Sequence, residues 1–212
     1  MSSESIEING HETVTAPTGE AAILVAVQSA LVDRPGVIPA ARGLSHFGEH
    51  SLGWLAIAGV GAALAYRRGD ARGELTWAQA GAGAFGAHAA SVIIKRVVRR
   101  RRPNHPAIRV GVSTPSKLSF PSSHATSTTA AAILIGRAAG LPPAVVPAVL
   151  VPPMLLSRLV LGVHYPTDVA AGAAIGAASA GAVIAGDKLF GDKILGSRLF
   201  RGRNSSRRAD VR

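Results

Sequence analysis

The chain contains no cysteine. Disulfides, thiolate nucleophiles and cysteine-ligated metals are therefore excluded, so covalent catalysis would have to use another side chain. Aromatics are scarce too, with two Trp, two Tyr and five Phe in 212 residues, and no platform for stacking nucleic-acid bases is evident. Acidic residues number 12 against 23 Lys and Arg, a formal charge of +11. In a water-soluble domain that imbalance would suggest nucleic acid. Here the cations cluster beside apolar runs, and attraction to a bilayer with anionic lipids explains them more economically. Nucleic acid is not an expected partner.

Small apolar residues fill the space these absences leave. Abundant Ala and 24 Gly make slender helices that pack closely in lipid. The fold expected is all-α: a polytopic membrane helix bundle of about five transmembrane helices, preceded by interfacial amphipathic helices. Residues 1–19 are polar and without apolar period, lack the features of a signal peptide, and read as a disordered tail. Residues 20–50 hold two short helical pieces, broken at Asp33-Arg34-Pro35-Gly36, that lie in the interface or cap the bundle. The membrane domain spans 51–186. Its first span, Leu52 to Tyr66, is short against the roughly 20 residues a bilayer core needs and is expected to begin upstream, near His46 to His50. The others run from Trp77 to Ile94, Ser122 to Gly140, Leu141 to Leu161 and Pro166 to Gly186. Residues 187–212 form a basic tail, flexible at its end.

Polar motifs interrupt the spans: Lys95-x6-Arg102-Pro103, Pro121-Ser122-Ser123-His124 and Ser157-Arg158-x5-His164-x3-Asp168. Ionisable groups between apolar helices are costly and mark a functional site by default. If successive spans alternate in direction, all these motifs converge on one membrane face. Lys95, Arg102 and Arg158 would there form a cradle for a phosphate ester, the arginine fork binding its oxygens bidentately. Ser122 and Ser123 open a helix whose first N–H groups form an anion site, and each can cap it or donate to phosphate.

In order and spacing the motifs resemble the signature of the type 2 phosphatidic acid phosphatase family, which includes the vanadium haloperoxidases. The resemblance covers Lys95 to Asp168. It implies a phosphoric monoester hydrolase (a lipid phosphatase) with His164 as nucleophile and a phosphohistidine intermediate. Asp168 would orient the imidazole, and His124 would act as general acid and then base. Pro166 suits the first turn of a helix, which puts Asp168 in that turn and His164 just outside it. No cofactor and no metal is expected, because cationic side chains meet the transition-state charge. The family usually has glycine where this chain has Ser123; the backbone N–H survives, so activity is expected to persist with altered packing or an extra hydrogen bond.

Separately, the motifs have plainer readings. His164 with Asp168 could brace a helix start, and Lys95 and Arg102 could anchor lipid. Arg96, Arg99, Arg100 and Arg101 are read as snorkelling anchors, at most one of which reaches substrate. His46, Glu49 and His50 suggest part of a metal set, with a head-group-facing role preferred. His88 either faces the bundle interior or packs between helices, and Asn104 and His105 are candidates for the substrate entrance. A non-catalytic lipid-binding protein is the rival from another class.

For substrate, the compact form and the Ser45–Ser51 stretch SHFGEHS resemble a small actinobacterial branch of the family. That branch is proposed to act on decaprenylphosphoryl-5-phosphoribose, a polyprenyl-linked precursor in cell wall biosynthesis. Polyprenyl diphosphates and phosphatidylglycerol phosphate are the alternatives. The expected location is a bacterial plasma membrane. The 23 basic residues divide almost evenly between the two faces, and discounting the motif residues leans toward an extracytoplasmic site. A homo-oligomer is left open.

Overall fold

The computed structural model describes residues 5–8 and 12–209. Strands β1 (Ser5–Ile8) and β2 (Glu12–Thr15) form an antiparallel hairpin. Helices follow: α1 (Gly19–Leu31), α2 (Val37–Phe47), α3 (Leu52–Arg67), α4 (Ala71–Val98), α5 (Ser123–Ala138), α6 (Val145–Val160) and α7 (Pro166–Ala209). Apart from the hairpin, the described residues are helical or in connections.

Small side chains decide which helix lies at the centre. The sequence of α5 begins SHATSTTAAA, and Ala125 through Ala132 are all buried. It packs against α4, α6 and α7. The closest approach is at Gly176 of α7, where an added Cβ would fall 2.3 Å from the Thr126 carbonyl oxygen. Gly172, one turn earlier, would meet the Ser122 carbonyl oxygen at 2.8 Å. This is the small-xxx-small contact that lets two helix backbones nearly touch, and it sets the start of α7 beside the start of α5. The backbone N–H of Ser122 donates to the Asp168 carbonyl at 3.0 Å.

At the other end of the bundle, buried Asp187 of α7 accepts from Arg72 at 2.7 Å, from Gln79 at 2.8 Å and from Arg137. These groups clamp α7 to α4 and α5, and a carboxylate so placed is tolerated because its oxygens are fully paired.

Several boundaries differ from the sequence expectation. The first span does not begin upstream. His50 (φ 49°) and Ser51 (φ 62°) adopt left-handed backbone in the 3-10 turn Glu49–Ser51, which separates α2 from α3. Helices α1 and α2 pack on α6, with Leu24 buried and the Gln28 amide donating to the carbonyls of Val160 (3.0 Å) and Arg109 (2.7 Å). The β-branched Ile6, Ile8, Thr13, Val14 and Thr15 suit strands, and they fall in the hairpin within the segment expected to be a disordered tail. Residues expected to form the basic tail continue α7 to Ala209. Residues 1–4, 9–11 and 210–212 of these tails lie outside the described residues.

Candidate active site

The site is built from two helix starts and the loop between α4 and α5. At the start of α7, Pro166 occupies the first helical position, where its missing N–H is no loss. Asp168 then reaches back, one carboxylate oxygen accepting from the Tyr165 N–H at 2.8 Å. This is the carboxylate arm of a capping box. The other oxygen accepts from Arg100 at 2.9 Å. His164 lies just outside the turn, with its Nδ1 3.6 Å from Asp168 Oδ2, slightly beyond hydrogen-bond distance.

The tautomer of His164 follows from its other nitrogen. Nε2 lies 3.2 Å from Arg102 Nη1. A guanidinium only donates, so Nε2 accepts and the ring proton sits on Nδ1, toward Asp168. Burial, reinforced by Arg102, Arg158 and Lys95, holds the imidazole well below the usual histidine range. It is therefore neutral, with a lone pair on Nε2. Arg102 is held by the Ser116 carbonyl (2.8 Å) and the Val163 carbonyl (2.7 Å). Burial pushes its pKa down to about 10, which leaves it charged at neutral pH.

Arg158, at the end of α6, is 2% exposed, and its Nε and Nη1 have no hydrogen-bond partner among the described residues. A buried guanidinium left so open is costly unless an anion completes it. Lys95 behaves differently. Its ammonium donates to the carbonyls of Leu118 (3.2 Å), Ser119 (3.1 Å) and Pro121 (2.9 Å), which uses its full donor set to fasten the loop. It gives the site charge and shape rather than a free hydrogen bond.

The two serines divide their tasks. Ser122 caps α5, accepting from the Ala125 N–H at 3.4 Å. The Ser123 hydroxyl is hydrogen-bonded to the Ser91 hydroxyl of α4 at 2.7 Å. At the next position, His124 Nε2 lies 2.9 Å from the Ser45 carbonyl. That carbonyl can only accept, so Nε2 carries the proton and Nδ1 holds the lone pair.

Lys95, Arg102, Ser123, His124, Arg158 and His164 line one cavity of about 490 Å³. Ser122 and Asp168 do not line it; they stand behind its wall. The motif residues are thus brought together, six on the cavity surface and two in support. Among the described residues, no group of three or more His, Cys, Asp or Glu is placed to hold a metal ion.

Residues 75–189 match the model of the PAP2 superfamily. The chain belongs to that superfamily. It is 67% identical over 163 residues to the decaprenylphosphoryl-5-phosphoribose phosphatase of Mycobacterium tuberculosis, covering 76% of this chain and 87% of that one. The enzyme of the same name from Mycolicibacterium smegmatis is 64% identical over 159 residues, covering 74% and 83%. Among solved structures, the fold matches a transmembrane PAP2-type phosphatidylglycerolphosphate phosphatase from Bacillus subtilis. The TM-score is 0.60 at 22% identity, over 78% of this chain and 85% of that one. A bacterial vanadium-dependent iodoperoxidase gives the same TM-score at 15% identity, over 86% and 52%.

Two residues at this PAP2 site, Arg100 and Ser91, are not marked by the sequence. Arg100, expected to be a lipid anchor, donates to Asp168 and to Thr167 (2.6 Å), pairs with Glu20 of α1, and lies 4.2 Å from the Tyr165 ring centroid. In a run of arginines nothing in the sequence distinguishes the one that folds inward. Ser91 is likewise hidden, an isolated serine in an apolar helix. Asn104 and His105 do not line the cavity. His105 instead accepts from the Ala107 N–H at 3.1 Å and donates to the Thr15 carbonyl at 3.0 Å. Arg100 positions Asp168 and touches no reacting atom. Arg100→Ala should therefore lower kcat by about tenfold to a hundredfold with KM nearly unchanged, checked by steady-state phosphate release.

Proposed function

We propose that this chain is an integral membrane phosphatase that removes the 5-phosphate of decaprenylphosphoryl-5-phosphoribose through a phosphohistidine on His164. The observation that carries the chemistry is His164 Nε2: unprotonated, on the cavity wall, and in contact with Arg102. The names of the 67% and 64% identical relatives support the choice of lipid.

The phosphomonoester enters with its oxygens toward Arg158 and Arg102, and the open donors of Arg158 take the charge. Arg102 turns from His164 Nε2 to phosphate, freeing the lone pair. Nε2 attacks phosphorus as the bond to the ribose oxygen breaks. His124, protonated on Nδ1 under the field of the phosphate, gives that proton to the leaving oxygen. The Nδ1 proton of His164 faces Asp168, which steadies the positive charge on the phosphorylated ring. Neutral His124 then takes a proton from water. The oxygen attacks phosphorus, the P–N bond breaks, and inorganic phosphate leaves with His164 neutral again. Ser123 and the N-terminus of α5 favour the developing charge throughout.

In the membrane, α3 to α7 supply the five spans. Pro166–Gly196 is long and apolar enough to cross a bilayer by itself. The outer faces of α3, α4 and α6 carry exposed Ile57, Val60, Phe85, Ile93, Val149 and Leu156, the surface that lipid requires. The cavity opens on the extracytoplasmic side. Phosphate release from purified lipid phosphates tests the reading. Decaprenylphosphoryl-5-phosphoribose should be the preferred substrate, ahead of polyprenyl diphosphate and phosphatidylglycerol phosphate. Equal or better turnover of either competitor contradicts the substrate assignment.

A further inference from the structure

The motif residues cover only part of the cavity. Its lining also includes Ser45, His46, Glu49 and His50, at the junction of α2 and α3, and His88 of α4. None of these is used in the phosphoryl transfer derived above. Their position is set by His124. Its Nε2 is bonded to the Ser45 carbonyl at 2.9 Å, and a Cβ on Gly48 would fall 2.9 Å from its Cδ2. The junction backbone therefore lies directly on the imidazole that protonates the leaving oxygen. Whatever is attached to that oxygen meets this wall first.

The wall is polar and rich in acceptors. The Glu49 carboxylate is within electrostatic reach of Arg158. His88 Nδ1 is buried without a hydrogen-bond partner among the described residues, and the His50 ring lies 5.9 Å from His88. His50 and Ser51 hold left-handed backbone, a costly conformation for residues with a Cβ that persists where surroundings enforce it, often at binding sites. A diacylglycerol leaving group has no hydroxyl to give Glu49, whose carboxylate, half-exposed and 3.9 Å from His46 Nδ1, would lose water and gain no donor. A sugar is the reverse: each hydroxyl donates as well as accepts, and a carboxylate is the usual acceptor for ribose hydroxyls.

We infer that Glu49 and His88, presented on this wall, form a subsite for the hydroxyls of a pentose leaving group. The inference deepens the proposed function and rests on it. Glu49 accepts from the ring hydroxyls, and His88 Nδ1 gains the partner it lacks. The wall thus selects for what is attached to the phosphate, while the motif residues handle the phosphate itself.

The test compares kcat/KM of the full chain on decaprenylphosphoryl-5-phosphoribose and on phosphatidic acid. In Glu49→Gln the ratio of the two should fall about tenfold to a hundredfold, with inhibition by vanadate retained as the sign of an intact phosphate site. His88→Leu should lower the same ratio independently, which keeps the test decisive if one variant fails to fold. A ratio unchanged in the variants that retain vanadate inhibition overturns the subsite alone. A wild-type chain inactive on the phosphoribose lipid overturns the proposed function, and the subsite with it.

Discussion

His164→Ala should release phosphate from the lipid substrate on the order of 10⁴-fold more slowly than the wild type, or not measurably. Nε2 of His164 combines a lone pair, burial and contact with the Arg102 guanidinium. Removing it leaves Arg102 and Arg158 to bind substrate but removes the covalent route, so the loss should fall on kcat rather than KM. Binding of vanadate, a phosphate mimic, should weaken far less than turnover. The pH profile of the wild type follows from the same group. A nucleophile must be unprotonated, and burial with nearby cations keeps His164 so well below the usual histidine range. The acid limb of kcat/KM assigned to this group should therefore lie below about pH 6.5, the ordinary histidine value. An acid limb in the wild type at or above that value would contradict this account of His164.

Arg158→Met should have opposite effects on activity and on stability. The guanidinium is 2% exposed with Nε and Nη1 unpartnered among the described residues. In the free enzyme it is a buried charge with open donors, and replacing a buried charge by a well-packed apolar chain of similar size is often stabilising. In the transition state it meets the charge spreading over the phosphoryl oxygens, where losing one preorganised donor costs roughly 10²–10³ in rate. The variant should thus melt at a higher temperature in detergent while kcat/KM falls by about that factor. Vanadate should raise the melting temperature of the wild type and have little effect on the variant. A variant both less stable and fully active would show that Arg158 braces the fold instead.

Much of this site was legible in the sequence because its costs are local. Arginine, histidine and aspartate between apolar segments demand an explanation wherever they occur, and Pro166 with Asp168 announces a helix start within a few residues. Small residues in SHATSTTAAA likewise predict a closely packed helix. What stayed hidden depends on contacts across the chain. Arg100 is distinguished from Arg99 and Arg101 by distant partners, among them Glu20 and Asp168, 80 and 68 positions away. Lys95 was legible as a site residue, but its attachment to the carbonyls of Leu118, Ser119 and Pro121 is a product of the loop's path. The turn at His50 and Ser51 gave no signal either, since neither residue favours left-handed backbone strongly enough to mark a break. It was therefore absorbed into an expected helix. Glu49 and His88 have only separate readings in the sequence, because the junction and α4 meet only in the folded chain.

The phosphohistidine itself is the most direct test of the mechanism. The full chain in detergent is mixed briefly with substrate labelled in its monoester phosphate and quenched in alkali, where a phosphorylated imidazole survives. It is then digested and read by mass spectrometry. The account predicts labelled phosphate on the peptide containing His164, absent in His164→Ala and accumulating in His124→Ala if the second step is slowed more than the first. Label on His124, or continued turnover by the His164→Ala chain, would contradict it.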